Sequence, residues 1–182
     1  MIKVYDKFLS EADFEVVSSF FLSSDIPWFF NNSIARGEEG LDGYQFVHSF
    51  CNVENPFSSD KSQYSKFITP IFNKLNPRYI LRVKANLRPR TVEPFQSSWH
   101  TDTDIASKTC IFYINSNNGY TTFKDDTRVY SLENRLLLFD SHIEHSGVSC
   151  TNEKKRIVLN INYIPSSADG TEQLPVGEVA EF

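Results

Sequence analysis

A mainly β architecture, an antiparallel jelly roll with N-terminal helices laid on one of its sheets, is predicted by three features of the sequence. From Tyr79 onward, apolar residues recur with a period of two through a series of short segments: YILRVKANL, KTCIFYIN, GYTTFKD, TRVYSL, RLLLFD, SGVSC and RIVLNINY. That alternation marks strands whose two faces meet different surroundings. The connections NSNNG, SLEN and TNEKK are short and rich in turn formers, which suits antiparallel neighbours. Before Tyr79 the period is helical, which supplies a layer to cover a sheet.

Taken in order, the chain first offers Ser10 as the N-cap of EADFEVVSSFFL, where Phe14, Val17, Phe20 and Phe21 approximate one helical face. The next stretch, IPWFFNNSIARGEEGLDGYQFVHSF, mixes turn residues with an aromatic cluster, Trp28 to Phe30. Core packing under a loop is the expected role of that cluster, a lip over a site the alternative. A second helix is expected from Asp60 to Leu75, with Tyr64, Phe67, Ile68, Ile71 and Phe72 at helical spacing. Pro70 should kink or break it, and Pro77 marks its end. The tail PSSADGTEQLPVGEVAEF is acidic and rich in turn formers, and is expected to wrap the surface or stay partly disordered.

A length of 182 residues suits one domain, read as an N-terminal support (1–78), a jelly-roll core (79–164) and a tail (165–182). A 40% hydrophobic content with sixteen Phe argues against disorder. No apolar run approaches the roughly 20 residues that cross a bilayer. The start MIKVYDKFLSEADF lacks the form of a secretory signal. Three scattered cysteines, Cys51, Cys110 and Cys150, form neither a zinc motif nor a disulfide framework, and fit a reducing cytoplasm. A net charge of −5 gives no overall pull on nucleic acid or an anionic membrane. A protein, peptide or small-molecule substrate is the expected partner.

Chemistry is suggested first by WHTD. His100 and Asp102 are two apart, so on an extended chain both side chains point to one spot. An imidazole and a carboxylate can take adjacent positions on a divalent metal, and a second imidazole completes the two-histidine, one-carboxylate facial triad of non-heme Fe(II) sites. DSHIEHS supplies two candidates, His142 and His145. In RIVLNINY the period of two sends Arg156, Val158, Asn160 and Asn162 one way and Ile157, Leu159, Ile161 and Tyr163 the other. A guanidinium on an otherwise interior face needs a partner such as a ligand carboxylate.

The HTD motif, the run CIFYINSNNGYTTF and the block NRLLLFDSHIEHSGVSCTNEKKRIVLNINY together resemble the 2-oxoglutarate/Fe(II)-dependent oxygenases, over roughly residues 79–163. The likeness is to small prolyl-hydroxylase-like members of the sort found in tailed bacteriophages. It implies a double-stranded β-helix, Fe(II), 2-oxoglutarate and O2. The implied reaction hydroxylates a C–H bond of a protein side chain, prolyl among the options, or of a small metabolite, and yields succinate and CO2. It makes His100, Asp102 and one histidine of DSHIEHS the metal ligands and gives Arg156 the distal carboxylate of 2-oxoglutarate.

If VSC and RIV pair through TNEKK, His145 lies roughly 13–20 Å from Arg156 at about 3.3 Å per residue, a gap that an arginine, a diacid, a metal and an imidazole fill. His142 lies about 10 Å farther and points the other way, and the resemblance also selects His145. His142 is then expected at the mouth of the site.

By the same resemblance Tyr113 helps hold the distal carboxylate, and Thr121 and Asn86 contact the cosubstrate. The chain departs from the pattern at Val158, where a serine or threonine is usual, so Tyr113 or Thr121 would have to compensate. His48 in QFVHSF reads as a satisfied core residue. The loop LRPRTVEPFQSSW, with Arg88, Arg90, Phe95 and Trp99, reads as a lid or a solvated connection. The competing class is a cupin-like metal-binding isomerase or binding module.

Overall fold

Alternation along RIVLNINY puts four large apolar side chains on one face and Arg156, Val158, Asn160 and Asn162 on the other, with all eight buried. A strand with two covered faces lies between two layers. In the computed structural model, which describes residues 2–34, 43–53 and 62–166, this strand is the middle of a seven-stranded sheet.

The elements are β1 (Lys3–Tyr5), α1 (Glu11–Leu22), β2 (Phe29–Asn31), β3 (Gln45–Asn52), a 3-10 turn (Ser65–Ile68), α2 (Thr69–Leu75), β4 (Pro77–Pro89), β5 (Lys108–Tyr113), β6 (Tyr120–Phe123), β7 (Arg128–Tyr130), β8 (Arg135–Asp140), β9 (His145–Val148) and β10 (Lys155–Pro165). The large sheet runs β1-β8-β5-β10-β4-β3-β2, a smaller one runs β7-β6-β9, and the strand pairs are antiparallel. This is the jelly roll that the period of two predicts.

Each face of the large sheet has its own core. On one, Val17, Phe20 and Phe21 of α1 and Ile71 and Leu75 of α2 cover Val83, Ala85, Phe112, Leu159 and Ile161. On the other, Phe123 and Val129 of the small sheet meet Ile111, Tyr113, Leu137, Phe139 and Val158. The first helix has the expected cap, with Ser10 Oγ accepting from the Asp13 amide at 3.2 Å.

Asn134, in the left-handed region at φ 59°, ties the chain start to the sheet. Its amide accepts from the Leu9 N–H at 2.8 Å and donates to the Leu9 carbonyl at 2.9 Å. No helix among the described residues is long and apolar enough to cross a membrane.

Four expectations need correction. The N-terminal third is not only helical and irregular, because β1, β2 and β3 extend the large sheet. The second helix begins at Thr69, and Pro70 sits in its first turn, where a missing N–H costs nothing, instead of kinking it. Of the residues before it, 54–61 lie outside the described residues, as does the tail from 167 onward.

Of the aromatic cluster, Trp28 packs on the core, while Phe29 and Phe30 stand 61% and 63% exposed on the edge strand β2. Finally, VSC and RIV do not form a hairpin. β9 pairs with β6 in the small sheet and β10 with β4 and β5 in the large one, so TNEKK carries the chain across the sandwich.

Candidate active site

The open space between the sheets collects the polar faces of three segments. Residues 96–100 run antiparallel along β9, joined by bridges at Gln96–Val148 and His100–His145. The last is reciprocal, with each histidine's N–H donating to the other's carbonyl at 3.1 and 3.0 Å. The loop before His100 is therefore strapped to β9. It is not a free lid, although Arg90 and residues 92–94 of it remain exposed to solvent.

The bridge sets the two imidazoles side by side, ring centres 4.6 Å apart. His100 Nδ1 faces the Ser98 carbonyl at 3.0 Å, and His145 Nδ1 faces the Ile143 carbonyl at 3.1 Å. A carbonyl only accepts, so each Nδ1 carries a proton and Nε2 is the ring atom left to meet a ligand. Burial further lowers the His145 pKa, against the pull of Asp102, and favours the neutral ring.

Asp102 faces the pair, with its Oδ2 3.8 Å from His145 Nε2. Arg82 Nη2 donates to Oδ1 at 2.7 Å, Thr109 donates to Oδ2 at 3.1 Å, and Asn160 Nδ2 reaches both oxygens at 3.2 Å. Burial alone would raise its pKa, but His145, Arg82, His100 and the Asn160 amide together hold it down at about 2. Ligand atoms of His100, Asp102 and His145 lie within 4.8 Å of one another. Two imidazoles and one carboxylate held ionised are the donor set for a divalent iron, and they fit it.

Deeper in, Arg156 is 4% exposed. Its Nε donates to Ser131 Oγ at 2.8 Å and its Nη2 to Thr121 Oγ1 at 3.2 Å, and its guanidinium lies over the Tyr113 ring at 5.6 Å. No acidic side chain among the described residues pairs with it. A buried guanidinium with only hydroxyl partners is costly, and a carboxylate ligand is the partner that suits it.

The Asp102 cluster and Arg156 line one cavity of about 250 Å³. The facing side of β4 contributes Arg82, Lys84, Asn86 and Arg88, and the buried Gln45 of β3 adds to the wall. The Lys84 pKa is lowered to about 8 by burial and by Arg82, with Asp102 opposing. Asn86 Oδ1 and Asn160 Oδ1 are buried without a donor among the described residues.

No protein-family model matches the sequence, and a search of curated proteins finds no match. Solved structures do match. A prolyl hydroxylase from Trichoplax adhaerens, in complex with a hypoxia inducible factor oxygen degradation domain peptide fragment, superposes with a TM-score of 0.60 at 14% identity, over 89% of this chain and 83% of its own. A prolyl-4-hydroxylase from Pseudomonas putida gives 0.58 at 13%, over 90% and 92%. A non-heme alpha-ketoglutarate-dependent epimerase from nogalamycin biosynthesis gives 0.61 at 10%, over 99% and 87%. The fold is that of the 2-oxoglutarate/Fe(II) oxygenases.

Within this oxygenase fold the other expected residues separate. Thr121 and Asn86 line the cavity, and Val158 fills the position noted as a departure. Tyr113 lies behind Arg156, fully buried, its hydroxyl donating to Thr121 Oγ1 at 2.9 Å. Ser131, which the sequence reading passed over, is what holds Arg156 Nε.

His142 is exposed and lines a separate groove with Ile2, Phe123 and Lys124. His48 is satisfied by the Pro27 carbonyl at 2.9 Å and Ser62 Oγ at 2.8 Å. Arg88 enters the cavity wall, donating to the Gly147 and Phe95 carbonyls at 2.9 and 3.2 Å, whereas Arg90 is exposed.

Arg82 and Lys84 were legible in principle. RVKANLR spaces Arg82, Lys84, Asn86 and Arg88 two apart, so all four share a face.

Gly119 leaves room for the Arg156 stem. A Cβ there would fall 2.7 Å from Arg156 Cδ and 2.8 Å from the Val148 carbonyl oxygen, which is backbone and does not yield easily. Gly119→Ala is expected to destabilise the protein by about 1–3 kcal/mol in urea unfolding, the usual range for overpacking. It should also weaken the binding of any carboxylate ligand held by Arg156, read in a parallel titration, because the displaced side chain is Arg156.

Proposed function

We propose that this protein is an Fe(II)- and 2-oxoglutarate-dependent oxygenase that hydroxylates a C–H bond of a protein side chain, prolyl among the options, or of a small metabolite. The observation that carries the proposal is one cavity holding both the His100–Asp102–His145 cluster and a buried arginine without an acidic partner among the described residues. The balanced reaction takes substrate R–H, O2 and 2-oxoglutarate to R–OH, succinate and CO2, one oxygen atom going to the alcohol and one to succinate. Bound at this cluster, Fe(II) supplies the O2 activation that no side chain provides.

The chain's own groups hold and orient. His100, Asp102 and His145 are the metal ligands, with the Ser98 and Ile143 carbonyls fixing the ring tautomers and Arg82, Thr109 and Asn160 keeping the carboxylate ionised. Arg156 takes the distal carboxylate of the cosubstrate and Thr121 lies within its reach. Tyr113 and Ser131 keep the guanidinium aimed. Asn86 supplies a further polar contact on the cavity wall. The peptide seen on the Trichoplax prolyl hydroxylase supports a peptide among the possible substrates.

The direct test supplies Fe(II), 2-oxoglutarate and O2 and measures succinate. Metal binding with no 2-oxoglutarate consumed, and no spectral change of the iron when the 2-oxo acid is added without oxygen, would overturn the proposal.

A further inference from the structure

Once the proposed cofactors are assigned, two cations of the cavity remain, Arg88, which the Gly147 and Phe95 carbonyls hold, and Lys84. Asp102 already has Arg82 as its counter-charge. Of the two carboxylates of 2-oxoglutarate, one belongs to Arg156 and the other to the metal. Formal charge then leaves the cavity positive before Lys84 is counted, and Lys84 adds to the excess. Asp102 is the only acidic side chain among the described residues that line the space. Lys84 has no hydrogen-bond or ion-pair partner among the described residues.

Its position also separates it from the arginine. In the β4–β10 register Lys84 stands opposite Asn160, the residue that donates to both oxygens of Asp102, whereas Arg156 stands opposite Arg88. Four residues along a strand are roughly 13 Å. Lys84 therefore belongs to the metal end. Beside it on the same face, the buried Asn86 Oδ1 has no donor among the described residues, nor has Asn160 Oδ1 across the strand pair. A surplus ammonium among unsatisfied amide oxygens marks a place where a charged, hydrogen-bonding ligand completes the wall.

We propose that Lys84, with Asn86 beside it, recognises an acidic group of the substrate that is oxidised: a carboxylate, carried by a free acid or by an Asp or Glu side chain of a peptide. A neighbouring N–H of that substrate donates to Asn86 Oδ1. This assignment rests on the function proposed above and deepens it by naming the substrate class.

Calorimetry without oxygen, on Mn(II)-loaded protein saturated with 2-oxoglutarate, reads substrate binding apart from turnover. One arm compares L-aspartate and L-glutamate with L-asparagine and L-glutamine. The other compares a library of capped peptides with Asp or Glu at the centre against the same library with Asn or Gln. In one arm the acid is expected to bind at least tenfold tighter than its amide, and the arm that responds identifies the source of the carboxylate. Lys84→Gln should abolish that preference and Lys84→Arg keep it, both holding 2-oxoglutarate affinity within about twofold.

Equal or absent binding of acid and amide in both arms overturns the inference. So does a tenfold loss of 2-oxoglutarate affinity in Lys84→Gln, which would make Lys84 a cosubstrate contact. A wild-type protein that binds neither Mn(II) nor 2-oxoglutarate fails at the earlier step, and that result counts against the oxygenase reading itself.

Discussion

Arg156→Met is expected to raise the dissociation constant for 2-oxoglutarate by roughly 30-fold or more, measured by titrating Mn(II)-loaded protein without oxygen. Removing one partner of a buried, hydrogen-bonded charge pair typically costs about 2–5 kcal/mol, and each 1.4 kcal/mol is tenfold in affinity. Stability should move the other way or stay put. Without a ligand, the guanidinium is held among the described residues only by the Ser131 and Thr121 hydroxyls and the Tyr113 ring. An uncompensated buried charge is expensive, so an apolar side chain of similar length relieves it. A cosubstrate affinity left unchanged, or a collapse in stability, would remove Arg156 from the role proposed for it. Arg156→Lys should fall between the two, because an ammonium keeps the charge but not the planar fork.

The second large effect concerns the two histidines of DSHIEHS. His145→Ala should lower affinity for Mn(II) or Fe(II) by more than the roughly 10–100-fold that loss of an outer-shell partner costs, since a ligand itself is gone. His142→Ala should leave that affinity within about twofold. His145 lies in the cluster with His100 and Asp102, while His142 is exposed on a groove of its own. Metal titration of the two variants side by side decides the matter, and a reversed result would sink the assignment of the third ligand. The His145 variant should stay folded, because its pairing with His100 runs through main-chain groups that alanine retains.

Parts of this architecture were legible because they depend on local pattern. Strands β4, β5, β8 and β10 carry their alternation openly, and the Ser10 cap follows from residue type. The strands of the N-terminal third were not. β1 and β2 have three residues each, too few for a period, and the register of β3 slips between Ser49 and Cys51 where it pairs with β4. Such strands are specified by the neighbour they extend, which is a long-range property.

The site divides in the same way. HTD places two side chains on one spot by chain geometry alone, so His100 and Asp102 could be named from sequence. The choice of His145 drew on a hairpin that does not form, and the distance to Arg156 that supported it was counted along the wrong path. The two residues share a cavity because opposing sheets bring them together. Arg82 and Lys84 were passed over because a polar strand face ordinarily looks to solvent. Here the small sheet lies across it, and no residue of β4 announces that.

The reciprocal amide bonds between His100 and His145 bear on how the protein would acquire the proposed ion. Where ligands come from loose loops, part of the coordination energy is consumed in ordering the chain, and the empty form unfolds. Here the main chain has already fixed the spacing of the two proposed imidazole ligands, and hydrogen bonds fix the carboxylate proposed as the third. Loading and emptying are then exchange reactions of a folded protein, open to reversal by a chelator. The ion adds stability by mass action according to its free concentration, about 2.7 kcal/mol at a hundred times its dissociation constant, without being needed to make the fold.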